Sequence, residues 1–119
     1  MSYVDGFVVP VPKKKRAAYV AMARKACKVW KDHGALDYRE CLADDVSWGK
    51  RTSFPRSVKL KKSEQVWFSW IVYRNRKHRD AVMKKVMKDK RLASMMDPKA
   101  MPFDARRMIY GGFNVMVDV

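Results

Sequence analysis

Residues 65–73 read QVWFSWIVY, and this stretch decides the fold. Its residues are mostly β-branched or aromatic, and they are apolar at odd and even positions alike. That pattern is typical of a strand in the middle of a sheet with both faces covered. We therefore predict a central strand here and assign the neighbouring segments outward from it.

The beginning of the chain predicts a strand followed by a helix. Residues 3–11 (YVDGFVVPV) have the composition of a strand that Pro10 and Pro12 bring to an end. A helix over about residues 14–33 should follow, because apolar side chains recur there at helical spacing and Gly34 supplies a stop signal. The side chains expected to face the sheet are Tyr19, Met22, Ala23, Ala26 and Trp30.

A second strand and a long loop are predicted between this helix and the central strand. Residues 35–43 (ALDYRECLA) alternate as a partly exposed strand does. One face would carry Leu36, Tyr38, Glu40 and Leu42, and the other Asp37, Arg39 and Cys41. The pattern then breaks, and residues 44–64 predict a loop or an arm with weak extended character over residues 53–60.

A second helix is predicted directly after the central strand. Asn75 can cap it, and it should run over about residues 76–88 with Val82 and Val86 four positions apart on one face. Another short turn of helix is expected at residues 91–96. The second helix should therefore pack on the sheet beside the first.

The end of the chain predicts a loop and a final strand. Pro98 and Pro102 bound the loop, and residues 107–117 form the strand. Gly111 and Gly112 interrupt that strand, which favours a bulge or a close backbone approach. The whole order is βαββαβ in one domain, residues 1–119, which predicts an α+β fold of ferredoxin-like topology with an antiparallel sheet.

This arrangement places two helices on one face of the sheet and leaves the other face open. The large apolar groups exceed what one helical layer needs to bury; they include Phe7, Trp67, Trp70, Tyr73 and Tyr110. A second copy of the sheet is the simplest cover, so we predict a homodimer.

The composition is strongly basic, with 27 Lys and Arg against 12 Asp and Glu and a formal charge of +15. Such a charge attracts polyanions, although it can also serve solubility alone. The sequence shows no export signal and no apolar stretch long enough to span a membrane, and its two cysteines should be reduced. These features predict a cytoplasmic protein without a membrane partner.

The basic residues at the starts of the two helices suggest an anion site. Cations oppose the helix dipole there, which makes their clustering unusual. In a βαββαβ fold we expect the first and third strands to run parallel and adjacent, so both helices should begin at one end of the sheet and these residues should share one rim. The rim could bind RNA or DNA without sequence preference, or be a solvated charged edge. Its members are Lys13, Lys14, Lys15, Arg16, Arg74, Arg76, Lys77 and Arg79.

A second candidate site combines apolar walls with a carboxylate, hydroxyls and a guanidinium, as small-ligand pockets do. The residues predicted to converge in it are Tyr38, Glu40, Ser53, Arg56 and Trp70. The alternative is structural. In that case Tyr38 and Trp70 belong to the core, Glu40 pairs with Arg39 or Arg56 at the dimer interface, and residues 52–56 form an arm.

Sequence motifs for catalysis, metals and cofactors are absent. Cys27, His33 and Cys41 lack a fourth ligand at useful spacing, so no metal site is predicted. The chain has no nucleophile elbow and no glycine-rich phosphate or dinucleotide loop, so no cofactor is predicted either. Whether the chain is an enzyme is left open.

Six stretches together resemble the uncharacterised bacterial YbaA-like family, a branch of the dimeric α+β-barrel superfamily. They are YVDGFVVPVP, KVWKDHGALDYREC, TSFPRSVKLK, FSWIVY, HRDAV and MPFDARRMIYGGF, and they cover nearly the whole chain. The resemblance implies a ferredoxin-like protomer, two sheets facing each other in a homodimer, and a cavity. That superfamily contains enzymes and ligand binders, so its fold alone fixes no function. We expect a small organic ligand, neutral or anionic, with nucleic-acid binding as the alternative.

Overall fold

The predicted central strand is confirmed in the structure, a computed structural model that describes residues 1–95, 97 and 99–118. The sheet order is β2-β3-β1-β4, so β3 lies inside the sheet. The strands are β1 (Tyr3–Pro12), β2 (Asp37–Leu42), β3 (Glu64–Tyr73) and β4 (Ile109–Asn114). The helices are α1 (Arg16–Asp32), α2 (Phe54–Ser57), α3 (Arg76–Met87) and α4 (Lys90–Ala93).

Each neighbouring pair of strands is antiparallel. β3 pairs with β1 along its whole length, from Tyr3 opposite Tyr73 to Pro12 opposite Glu64. This is the α+β, ferredoxin-like arrangement that the element order predicts. It is held centrally by β3, which joins the edge strand β2 to β1.

The prediction that the first and third strands run parallel is wrong. β1 and β2 both pair antiparallel with β3, so they are parallel to each other, and α1 is the crossover between them. Because α1 follows the end of β1 and α3 follows the end of β3, the two helices begin at opposite ends of the sheet. Strands of this length span about 33 Å. The single rim of eight basic residues therefore does not form.

The two long helices, α1 and α3, lie on one face of the sheet, as predicted. Tyr73 is fully buried beneath them, and its hydroxyl accepts a hydrogen bond from Trp30 Nε1 at 3.1 Å. Val82 and Val86 belong to the same cluster, which confirms the predicted apolar face of α3. The predicted cap is also present, since the Asn75 side chain accepts from the backbone N–H of residue 78 at 2.8 Å.

The predicted extended character of residues 53–60 is wrong. Ser53 caps α2 by accepting from Arg56 N at 3.1 Å, and Pro55 lies in the first turn of that helix. Both are signals for a helix start. Val58 after this helix is buried against Val8 and another strand residue, so the segment covers one end of the second face of the sheet.

The final strand is shorter than predicted. Arg107 lies in a 3-10 turn, Ala105–Arg107, and the strand begins only at Ile109. Gly111 and Gly112 continue the described register with β1 without the expected bulge. A close approach is present at Gly112, where an added Cβ would collide with the hydroxyl group of Tyr3. A side chain, not the backbone, makes that approach.

We call the face of the sheet away from α1 and α3 the open face. It carries an apolar groove of about 630 Å³. Its large side chains are partly uncovered: Phe68 is 40%, Ile109 45% and Phe113 63% exposed. Trp70 also lines this groove. The open face is therefore the apolar surface for which the sequence predicts a cover.

Candidate functional site

A cavity of about 160 Å³ lies between the sheet and the helices, and we call it the Glu40 cavity. Most of its walls are apolar, and several are flexible methionines. These walls include Phe7, Met22, Trp30, Ile71, Leu92, Met95, Met101, Phe103 and Met108. The polar side chains are few and come from α1, β2 and β3; they are Tyr19, Tyr38, Glu40 and Ser69. Apolar walls with a few polar groups are typical of small-ligand sites.

The carboxyl group of Glu40 is held by two tyrosine hydroxyls. Tyr19 donates a hydrogen bond to Oε1 at 2.7 Å, and Tyr38 donates one to Oε2 at 3.1 Å. β2 places Tyr38 and Glu40 two positions apart on one face, while α1 supplies Tyr19 from its first turns. Each carboxyl oxygen therefore has one donor, and both retain room for another.

The environment of Glu40 makes its ionised form costly. Burial raises the pKa of Glu40, and the hydrogen bonds from Tyr19 and Tyr38 oppose that rise. Burial, followed by the nearby Glu40 charge, raises the pKa of both tyrosines well above the usual range, so their hydroxyls stay protonated. A carboxyl group whose pKa is raised by burial can accept a hydrogen bond or a proton from a group inside the cavity.

Glu40 is also reached from a cleft on the other side. This cleft, of about 270 Å³, lies between α1 and β2 and is lined by Val20, Ala23, Arg24 and Cys27 together with Tyr38, Glu40 and Trp67. Tyr38 and Glu40 line both spaces. They therefore separate the inner cavity from a cleft at the surface.

The five residues predicted to form one pocket do not converge. Tyr38 and Glu40 line the Glu40 cavity, but Trp70 lines the groove of the open face. Ser53 is used as the cap of α2. Arg56 donates from Nε to the carbonyl of Trp48 at 2.8 Å and from Nη2 to that of residue 49 at 2.9 Å. Within the protomer, Glu40 is hydrogen-bonded to the two tyrosines; its predicted pairing with Arg39 or Arg56 at a dimer interface stays a prediction.

Tyr19 is a polar residue of the cavity lining that the sequence prediction did not include in the site. It was predicted only as part of the sheet-facing stripe of the first helix. A buried tyrosine usually finds a hydrogen-bond partner for its hydroxyl, and a buried glutamate needs donors. A tyrosine and a glutamate that each required a hydrogen-bond partner were therefore the sequence signal for this contact.

The basic residues divide into two groups at opposite ends of the sheet. Near the start of α1, a shallow surface groove is lined by Lys13, Lys14, Arg16 and Arg24. Lys15 lines a different groove, described below. In the other group, Arg74 and Lys77 are exposed, and Arg76 lies 3.9 Å from Asp80.

Arg79, the last member of the second group, is committed to the core. Its Nη1 donates to the buried carboxylate of Asp5 at 3.0 Å, and its guanidinium lies 5.0 Å from the centre of the Tyr3 ring. It is therefore a structural cation and not part of a free anion surface.

Replacing Glu40 with glutamine should change how stability depends on pH. The pKa of Glu40 is raised by burial above its ordinary value of 4.5. A raised pKa in the folded state contributes stability that is present below the unfolded pKa and lost as pH rises through the folded pKa. Urea denaturation from about pH 4 to about pH 8 should show the wild type losing free energy of unfolding relative to Glu40→Gln. A difference that stays constant or grows with pH would contradict this.

Membrane-spanning helices and metal-binding clusters are both absent from the part of the chain that the structure describes. No helix there is both long and apolar enough to cross a membrane. No group of three or more His, Cys, Asp or Glu side chains is placed there to hold a metal ion.

Comparison with known proteins finds a family model, relatives of similar length and a solved structure of low similarity. A family model described as "Protein of unknown function (DUF1428)" matches residues 2–105. "Uncharacterized protein YbaA" of Escherichia coli (strain K12) is 49% identical over 118 residues, covering 99% of each chain, and the protein of that description from Shigella flexneri matches equally. Among solved structures, the de novo designed protein Foldit4 aligns over 99% of this chain and 100% of its own, with a TM-score of 0.45 and 8% identity.

Proposed function

This chain belongs to the DUF1428 family of proteins of unknown function, and we propose from its site that it binds a small organic molecule in the Glu40 cavity. The relatives named above have no assigned activity on which to base a proposal. Membership confirms the resemblance to the YbaA-like family drawn from the sequence. The proposed ligand is about the size of one aromatic ring and carries a hydrogen-bond donor.

The observation that supports this most is the position of Glu40. A carboxyl group is costly to remove from water unless it is paired, yet the half-buried Glu40 lies at the wall of a largely apolar cavity with only two neutral donors. Two tyrosine hydroxyls leave further acceptor capacity on both oxygens. A ligand hydroxyl or amine can fill that capacity while its apolar part contacts the surrounding walls.

The volume of the cavity limits the ligand. An apolar cavity of about 150 Å³ is large enough to bind benzene. The Glu40 cavity, at about 160 Å³, suits one ring or a short branched chain. Its methionines can adjust to the shape of the occupant, since thioether side chains are flexible.

Phenol and anisole provide a direct test, because only phenol can donate a hydrogen bond to Glu40. We expect phenol to bind more tightly, by about tenfold or more, since hydrogen bonds to charged groups contribute about 1.5–3 kcal/mol. Calorimetric titration should show this preference in the wild type and a smaller one in Glu40→Gln, because a neutral amide oxygen accepts a weaker hydrogen bond than a carboxylate does.

Asp37→Asn is the matched control, because it makes the same chemical change on the same strand but outside the cavity lining. This control should keep the preference for phenol. Equal binding of phenol and anisole by the wild type, or an unchanged preference in Glu40→Gln, would overturn the proposal.

The proposal includes a homodimer formed through the open face, as the sequence predicts. The support is the exposed apolar groove, since patches of this kind mark interaction surfaces. Nucleic-acid binding is not proposed, because its main argument was a single basic rim and the two groups of cations lie at opposite ends of the sheet.

A further inference from the structure

Another groove, of about 510 Å³, lies next to the Glu40 cavity. It runs between the end of β1, the start of β3 and the segment before β4. Its lining includes Lys15, Lys61, Glu64, Asp104, Arg106 and Arg107. Four cationic side chains against two carboxylates give it a positive charge.

Two of these cations are available to a ligand. Arg107 is engaged by Glu64 and Asp104, and Arg106 also lies 3.1 Å from Asp104. Lys15 and Lys61 are exposed and form no ion pair with the side chains that the structure describes. Their ammonium groups can therefore receive an anion without breaking an existing pair.

The groove and the Glu40 cavity share part of a wall. Met101 and Phe103 line both. The Phe103 ring packs edge-on against Tyr19 with 5.7 Å between centroids, and Tyr19 donates to Glu40. Lys15 precedes Tyr19 by four residues, about one helical turn. Met101 and Phe103 therefore form part of the partition between the apolar cavity and the cationic groove, and the methionine is flexible.

The separation of the two spaces defines the length of a molecule that would occupy both. Glu64 lines the groove and Ser69 lines the cavity; on β3 they are about 17 Å apart along the strand. Because Met101 and Phe103 line both spaces, the gap that a ligand must bridge is shorter than this. A ring joined to an anionic group by a short chain is therefore sufficient.

We infer that the ligand of the Glu40 cavity is an elongated organic anion, with its ring and hydroxyl in the cavity and its anionic group between Lys15 and Lys61. This inference rests on the proposed function and adds the chemical class of the ligand. The class is an aryl alkanoate, or its phosphate counterpart, with a donor at the far end of the ring.

The test uses a para-hydroxyphenyl alkanoate as the probe, with its carboxamide and its methyl ether as matched compounds. The acid should bind the wild type about tenfold more tightly than the amide, since charge-assisted hydrogen bonds are about twice as strong as neutral ones. In the double variant Lys15→Ala and Lys61→Ala, the acid and the amide should bind alike. Lengthening the alkyl chain should raise affinity to a maximum and then lower it.

The control variant combines Lys14→Ala and Lys62→Ala, two exposed neighbours outside the groove lining that lower the net charge by the same amount. It should keep the preference for the acid. If the wild type prefers the phenol to the methyl ether but does not distinguish acid from amide, the inference fails and the proposed function stands. If neither preference is seen, both fail. Loss of the acid preference in the control as well would show a general charge effect and also overturn the inference.

Discussion

Replacing Arg107 with alanine should lower the free energy of unfolding by about 3–5 kcal/mol, because it leaves a buried carboxylate without its cation. Glu64 is only 6% exposed. Arg107 binds it through both terminal nitrogens, Nη1 at 2.9 Å and Nη2 at 2.5 Å. Removing one partner of such a buried pair costs far more than the pair itself contributes, since the remaining charge cannot be hydrated.

The guanidinium of Arg107 also joins three separate segments. It donates to the carbonyls of Val58 and Lys59 after α2, at 3.2 and 3.1 Å, and pairs with Asp104 before β4 at 3.2 Å. Glu64 begins β3. Loss of the Arg107 side chain should therefore loosen the wall of the cationic groove as well as the start of the central strand.

Arg106→Ala is the control for this prediction. The Arg106 side chain is 90% exposed and pairs only with Asp104 in the described structure, so its removal should change stability by about 0.5 kcal/mol or less. Urea denaturation at neutral pH measures both variants. An effect of Arg107→Ala as small as that of Arg106→Ala would show that Glu64 tolerates burial without it.

The pH dependence gives a second check. Hydrogen bonding by Arg107 lowers the pKa of Glu64. A lowered pKa contributes stability above the unfolded pKa, and that stability is lost as pH falls through the folded pKa. The difference between the wild type and Arg107→Ala should therefore shrink in acid.

The strands and main helices could be predicted because their signals are local. The apolar run at residues 65–73, the stop signal at Gly34 and the cap at Asn75 each act within a few residues. Strand direction is different, because it depends on connections. The helical crossover through α1 makes β1 parallel to β2. Because β2 pairs antiparallel with β3, β3 must then run antiparallel to β1. The short helix α2 has too few residues to show a period.

The candidate site was predictable only within one strand. Alternation places Tyr38 and Glu40 on the same face whatever the register. The face taken by Trp70 depends on pairing. Trp70 lies opposite Arg39 on β2, so these two side chains share one face of the sheet, while Tyr38 and Glu40 point to the other. Tyr19 requires the height and rotation of α1 over the sheet. Contacts between elements are set by packing, which no single segment encodes.

Replacing Phe113 with glutamate should convert a dimer into a monomer. Phe113 is 63% exposed on the open face, and its ring lies over Gly6 and Gly111, where it has few neighbours to lose. The isolated chain should therefore fold as before. In a two-fold dimer through this face, each substitution is present twice, so two carboxylates would have to be desolvated against apolar walls. A cost of about 4 kcal/mol would raise the dissociation constant roughly a thousandfold.

Sedimentation equilibrium distinguishes the two states. The wild type should show a mass near twice 13.9 kDa and Phe113→Glu a mass near 13.9 kDa. Met87→Glu is the control, because Met87 is 58% exposed at the end of α3, on the helical side of the sheet, and its substitution should leave the dimer intact. A monomeric wild type at high concentration would show that the open face does not pair with itself. A dimer that survives Phe113→Glu would place the contact elsewhere, because an apolar interface centred on this groove cannot accommodate two unpaired carboxylates.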